Sequence, residues 1–169
     1  TEAANYKPWV DDARLFRRLE TEMDKILNLD PIILGSIIAK CCQIKAKVVS
    51  EDEKESGLRA ILNYGHTIGH AIEAITRYGT FLHGEAISIG QIAAGVLSNA
   101  LCDFPEEHME RVRALFEKTG LPTTIQFTNT QRQKLIDAMQ LDKKVTAGEV
   151  KFVLASSIGK VTPGHKIPT

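Results

Sequence analysis

The stretch Leu58-Arg-Ala-Ile-Leu-Asn-Tyr-Gly-His-Thr-Ile-Gly-His-Ala-Ile-Glu-Ala-Ile75 spaces Leu58, Ile61, Leu62, Ile68, Ala71, Ile72 and Ile75 three and four residues apart. That rhythm marks one buried face of a helix. Gly65 and Gly69 interrupt it, each beside a histidine, His66 and His70. A glycine costs a helix interior roughly 1 kcal/mol, so two of them predict that something approaches the backbone closely. Tyr78-Gly79-Thr80 breaks the run. Phe81-Leu-His-Gly-Glu85 then adds His83, ahead of an apolar helix from about Gly84 to Leu101 that carries Ile87, Ile89, Ile92, Val96 and Leu97 and reads as nearly fully buried.

The flanks are helical as well. Towards the N-terminus, Leu15, Phe16, Leu19, Met23, Ile26 and Leu27 predict an amphipathic helix from Asp11 to Leu29. Asp30-Pro31 supplies an N-cap and a first-turn proline for a second helix that ends near Val49, and the charged run Ser50 to Gly57 reads as an exposed connection. Towards the C-terminus, Pro105-Glu106-Glu107 starts a surface helix that Gly120 and Pro122 stop. A last helix covers about Gln131 to Gln140. Val150-Lys-Phe-Val-Leu154 is rich in β-branched and aromatic residues and predicts a short strand, with Ser157-Ile-Gly-Lys160 as its turn. The expected fold is mainly α, with about six helices and one small β-hairpin near the C-terminus, in one domain over residues 1–169.

Composition narrows the function. With 169 residues, 43% of them hydrophobic, the chain can build a real core. Lys plus Arg and Asp plus Glu stand at 21 each, so no charge excess argues for nucleic acid, and a small molecule is the expected partner. Cys41, Cys42 and Cys102 are odd in number and lack C-x-x-C spacing, which fits a reducing, cytoplasmic setting. No uninterrupted apolar run approaches the ~20 residues of a membrane span, so none is expected. The opening on Thr1, with no initiator methionine, reads as a piece of a longer protein.

Three of the five histidines fall within eighteen positions. Residues four apart share a helix face, so His66 and His70 project to one side, and a turn after Tyr78 can fold His83 back towards them. Neutral imidazole suits zinc, and catalytic zinc sites use three protein ligands and leave a position open. A single histidine on an apolar helix is more often a packing residue, but three together with flanking glycines favour a metal. Glu73 and Glu85 are candidates for a ligand, for an acceptor of an imidazole N–H, or for plain solvated carboxylates. His108, in a charged helix, and His165, in a Pro/Gly-rich tail, are expected to be exposed and without a role. Lys45, Lys47, Arg59 and Asn63, with Lys143-Lys144 later, either grip an anionic substrate beside the metal or are simply solvated.

The run Glu55-Ser-Gly-Leu-Arg-Ala-Ile-Leu-Asn-Tyr-Gly-His-Thr-Ile-Gly-His-Ala-Ile-Glu73, with Leu82-His-Gly-Glu-Ala-Ile-Ser-Ile-Gly90, resembles the core signature of 3-dehydroquinate synthases. The similarity extends to Cys42-Gln-Ile-Lys-Ala-Lys-Val-Val49, Thr119-Gly-Leu-Pro122, Asp142-Lys-Lys144 and Phe152-Val-Leu154, and so covers nearly the whole chain. The resemblance implies the C-terminal helical domain of that fold, which holds the metal and much of the substrate site. An N-terminal α/β domain that holds NAD would be its partner, and no Gly-rich strand-turn-helix motif of that kind occurs in this chain.

By motif, the resemblance implies that His66 and His83 ligate Zn2+ or Co2+ and that His70 stands next to the substrate and takes part in proton transfer. Glu55, Arg59 and Asn63 match the helix that faces substrate, Lys45 a substrate-binding lysine, and Lys143 the lysine near the C-terminus. The third metal ligand belongs to an Ala-Glu-x-x-Lys motif, for which Glu2 is the candidate, with Tyr6 in register. Asn5 stands where the motif has lysine.

In the resembled enzymes NAD transiently oxidises a hydroxyl of a seven-carbon keto-acid phosphate, phosphate leaves, the ketone is reduced again, and ring opening and aldol closure give dehydroquinate. Three alternatives stay open. Asn5 leaves room for another sugar phosphate cyclase. A metal-dependent polyol dehydrogenase is disfavoured by the Gly-Leu-Arg and Asp-Lys-Lys motifs. A non-catalytic metal-binding domain is the third, and a homodimer remains possible.

Overall fold

The computed structural model of the chain describes residues 12–53, 57–76, 80–141 and 150–167. Two helices open it, α1 (Ala13–Leu27) and α2 (Pro31–Glu51). Each is started by an aspartate whose carboxylate accepts two orphan N–H groups. Asp12 Oδ1 takes those of Arg14 and Leu15 at 3.0 and 3.2 Å, and Asp30 Oδ1 those of Ile32 and Ile33 at 3.0 Å each. Pro31 occupies the first turn as expected, since its missing N–H costs nothing there. The helix α2 runs past the expected end near Val49 to Glu51.

The connection after α2 is not simply an exposed loop. Asp52 is buried, and its Oδ2 accepts the N–H groups of Gly57 and Arg59 at 2.9 Å each. One carboxylate thus ties the end of α2 to the start of the next element. That element differs from the single helix expected over 58–75. A 3-10 helix covers Leu58–Asn63, Tyr64 is extended, Gly65 turns left-handed at φ 77°, and α3 (His66–Ile75) begins afresh. The apolar spacing survives this break because both pieces turn their apolar residues inward, Ile61 and Tyr64 into one buried cluster and Ile68 and Ile72 into another.

What approaches the glycines is α4 (His83–Cys102). A Cβ on Gly65 would lie 2.6 Å from the Gln91 backbone nitrogen, and one on Gly69 3.1 Å from Ile87 Cα. A Cβ on Gly90 would run into the Gly65 carbonyl oxygen and sit 2.8 Å from the Gly69 nitrogen. The two helices therefore pack backbone to backbone. Glu85 caps α4 by accepting the Leu82 N–H at 2.8 Å, which gives it a structural role.

Contrary to the expectation of near-complete burial, α4 is two-sided. Ala86, Ile89, Ile92 and Ala94 are buried against α3 and the core, while Val96 and Leu101 are each about 51% exposed on the far face. Its 20 residues are apolar and long enough to match a membrane span, which the sequence reading did not anticipate, yet half of that window is buried inside the fold. Ser98, fully buried, joins α4 to the hairpin by donating to the Ala94 carbonyl and accepting the Ala155 N–H at 2.9 Å.

Two further helices, α5 (Glu106–Lys118) and α6 (Asn129–Leu141), pack on α4 and α3 respectively. The expected hairpin is β1 (Lys151–Ser157) and β2 (Lys160–Lys166), antiparallel, with the first strand reaching past Leu154 to Ser157. Its two-residue turn uses Gly159 at φ 85°. A bulge between the pairs Phe152↔His165 and Leu154↔Thr162 absorbs Pro163 and Gly164.

That pairing corrects the reading of His165 as an exposed tail residue. It is half-buried on β2, with Nε2 2.6 Å from Thr162 Oγ1 and Nδ1 3.7 Å from Cys102 Sγ. His108 is likewise half-buried, accepting the Ile158 N–H at Nδ1 (3.4 Å) with its ring 5.8 Å from that of Phe104. Both histidines anchor the hairpin to the helices.

Candidate metal and substrate site

The α3–α4 contact decides where the histidines stand. His66 is the first residue of α3 and His83 the first of α4, and His70 lies one turn along α3. Their rings form a triangle, with centroids 5.4 Å apart for His66–His70, 5.7 Å for His70–His83 and 5.8 Å for His66–His83. A nitrogen about 2.1 Å from zinc puts the ring centre about 3 Å away, so two imidazoles on one tetrahedral ion stand about 5 Å apart. The observed spacing fits an ion shared among these rings.

For two of the rings, hydrogen bonds indicate which nitrogen is offered. The Tyr64 carbonyl lies 3.2 Å from His66 Nδ1, and both oxygens of Glu73 lie 3.2 Å from His83 Nδ1. Carbonyls and carboxylates only accept, so in each neutral ring Nδ1 carries the proton and Nε2 the lone pair. Burial falls across the cluster, with His66 half-buried and His70 and His83 exposed. Donor atoms of His70, Glu73 and His83 also lie within 4.8 Å of one another, so the described residues offer a second ligand set that overlaps the one implied by motif.

Beside His66 opens a cavity of about 510 Å³ lined by Cys41, Cys42, Lys45, Arg59, Leu62, Asn63 and His66. It unites one wall from α2 with one from the 3-10 helix. Lys45, Arg59, Asn63 and His66 are four of the residues singled out from the sequence, and here they face a single space. Arg59 is held at both ends, its backbone N–H by Asp52 and its Nη1 by donation to the Glu53 carbonyl at 3.3 Å. Two donors and an amide around a cavity next to an imidazole cluster can bind an anion such as a phosphate or carboxylate. Lys47 does not join them, since it pairs with Glu51 at 3.8 Å along α2 and is absent from the lining. Glu2, Asn5, Tyr6, Glu55, Lys143 and Lys144 lie outside the described residues.

The structure adds the cysteines and Asp52 to the site, and it selects among the roles open to Glu73. Cys41 and Cys42 line the cavity, a placement that their spacing of three and four from Lys45 on one helix would have indicated. Burial, with Cys42 beside it, pushes the Cys41 thiol up, so it lines the wall as a neutral group. Glu73 was left open among three roles, and its contact with His83 selects one that no spacing rule could fix. Asp52 gave no signal, because it works by folding back onto N–H groups five and seven residues ahead.

Comparison with known proteins identifies the family of the chain. A family model described as 3-dehydroquinate synthase C-terminal matches residues 2–145. A 3-dehydroquinate synthase from Nostoc punctiforme is 49% identical over 160 residues, which cover 94% of this chain and 44% of that protein. One from Nitrosomonas europaea is 46% identical over 158 residues, covering 94% and 42%. The chain thus spans less than half the length of these relatives.

Among solved structures, 2-epi-5-epi-valiolone synthase from Streptomyces hygroscopicus, with NAD+ and Zn2+ bound, superposes with a TM-score of 0.78 over 99% of this chain and 46% of that one, at 22% identity, and so shares the fold. A 2-deoxy-scyllo-inosose synthase complexed with carbaglucose-6-phosphate, NAD+ and Co2+ gives 0.64 over 80% of this chain and 40% of that one, at 29% identity.

Proposed function

Because the chain belongs to the 3-dehydroquinate synthase C-terminal family, we propose that it is the metal- and substrate-binding half of a 3-dehydroquinate synthase. The whole enzyme converts 3-deoxy-D-arabino-heptulosonate 7-phosphate into 3-dehydroquinate and phosphate, a step of the shikimate pathway. The observation that carries this reading is the single cavity shared by Lys45, Arg59, Asn63 and His66 next to the rings of His70 and His83.

In this reading His66 and His83, with Glu2, hold a zinc-class ion. When bound, the ion supplies Lewis-acid polarisation of substrate hydroxyls and so eases loss of a proton. Lys45 and Arg59 hold the anionic ends of the substrate, joined by Lys143, and Asn63 hydrogen-bonds between them. His70, exposed beside the cluster, receives the proton of the hydroxyl that is oxidised, a task suited to an imidazole near neutral pH. NAD is supplied by an N-terminal domain, the chain's main partner, and a homodimer is the proposed assembly. Three free thiols, Cys41, Cys42 and Cys102, support a cytoplasmic setting.

A second reading, another sugar phosphate cyclase, is favoured by one observation, Asn5 where the family motif has lysine. The test is product analysis. The protein carrying this chain together with its preceding half is given NAD, a zinc salt and, in turn, heptulosonate 7-phosphate, sedoheptulose 7-phosphate and glucose 6-phosphate. Dehydroquinate from the first alone is expected, and a cyclic product from either of the others selects the second reading. In calorimetry the 169-residue chain on its own should show no NAD binding. Micromolar binding would overturn the division of labour.

A further inference from the structure

Glu73 is the seventh residue after His66 and the third after His70, on the face of α3 that both histidines share. Its side chain is only 14% exposed, whereas that of His83 is 58% exposed. Among the described residues both of its oxygens lie 3.2 Å from one group, His83 Nδ1. A carboxylate removed this far from water needs a donor, and the imidazole N–H is the donor it faces.

The arrangement constrains His83 in two ways. The ring is pinned across the α3–α4 seam, so its orientation no longer depends on the loop that precedes it. The proton is pinned as well, because a carboxylate cannot donate to Nδ1, and the lone pair is left on Nε2. An unassisted histidine side chain prefers the opposite tautomer. Outer carboxylates of this kind orient metal-binding imidazoles and strengthen them as donors.

Resting on the metal-site reading above, we infer that Glu73 is a positioning residue. It holds His83 in the Nδ1–H tautomer and thereby presents Nε2 to the ion, without itself being a ligand. The rival assignment makes Glu73 a direct ligand in the set His70, Glu73 and His83. The equal approach of both oxygens to Nδ1 favours the first, because both already face the imidazole N–H.

Two measurements on the 169-residue chain decide. The first is two-bond 1H–15N correlation of the imidazoles in the metal-free chain near pH 8. His83 should show Nδ1–H in the parent and in Glu73→Gln, whose amide oxygen still accepts, and should move towards Nε2–H in Glu73→Ala. The second is zinc affinity by competition with a chromophoric chelator. Glu73→Ala should weaken binding about 10–100-fold, the usual cost of losing an outer-shell partner, and Glu73→Gln should recover most of it.

An Nε2–H tautomer in the parent overturns the inference, as does unchanged affinity in Glu73→Ala. Equal loss in Gln and Ala variants makes Glu73 a ligand and overturns it too. If Glu73→Ala fails to fold, seen as collapsed spectral dispersion, the parent tautomer and the Gln variant still decide. If the parent shows the Nδ1–H tautomer but no zinc binding, the metal-site reading falls and the orienting contact stands.

Discussion

The imidazoles of His66 and His83 stand 5.8 Å apart, centroid to centroid, with planes 66° from parallel, although they belong to different helices. Each opens its helix, and each has Nδ1 against an acceptor. Two separated chain segments have been brought to a distance and orientation that suit one ion.

Replacing either ring should therefore empty the site. His66→Ala and His83→Ala are each expected to lower zinc affinity by more than the about 10–100-fold typical of outer-shell partners. Metal analysis after dialysis of the purified chain checks this, and full retention by both variants would move the site elsewhere.

His70 should behave differently. Exposed, and proposed above as a proton relay, it is expected to leave metal content nearly intact when changed to Ala while turnover of the whole enzyme falls about 10²–10⁴-fold. Metal content, Tm and turnover are measured on the same variant. Loss of metal would make His70 a ligand and favour the set that includes Glu73, and loss of stability with normal turnover would make it a packing residue.

Two glycines should respond in opposite directions to the same added methyl. A Cβ on Gly90 meets backbone atoms of Gly65 and Gly69 that cannot step aside, so Gly90→Ala is expected to cost about 3 kcal/mol or more. Gly35, exposed within α2 with nothing near its Cβ position, should gain about 0.5–1 kcal/mol as alanine. Urea unfolding of both variants gives the comparison.

Asp12 supplies a pH dependence. Burial raises its carboxyl, but the N–H groups of Leu15 and Arg14 and the charges of Lys40 and Arg14 outweigh that, and the net result lies below the ordinary value. A group depressed in the folded state stabilises fully above its unfolded pKa of about 3.9 and loses that contribution as pH falls through the folded value. Asp12→Ala should thus cost about 1 kcal/mol at neutral pH, and the gap from the parent should shrink below about pH 4. Denaturant titrations at pH 7 and pH 3 read the difference.

Much of this arrangement is legible in the sequence because it rests on short-range rules. Asp30 and Pro31 start a helix, the charged and glycine-proline signals bracket α5, and the His66–His70 spacing puts two rings on one face. Several misreadings are places where a distant partner decided. Gly65 and Gly69 announce a close approach, but only the packed structure identifies α4 as what approaches and splits the expected helix at Gly65. The half-buried state of His165 depends on a bulge that seats Pro163 and Gly164 inside a strand. Lys45 and Arg59 face the same cavity only because Asp52 turns the chain between them, and nothing in the charged run around Asp52 sets that one carboxylate apart.

The contact among Gly65, Gly69 and Gly90 allows α3 and α4 a single register. Sliding α4 by one turn would put Ala86 or Ala94 where Gly90 now sits, and either methyl would strike the Gly65 carbonyl. The starting points of the two helices, and with them His66 and His83, are consequently spaced by main-chain atoms. The helix pair acts as a frame of fixed gauge. The distance between the mounting points is therefore independent of the side chains they carry.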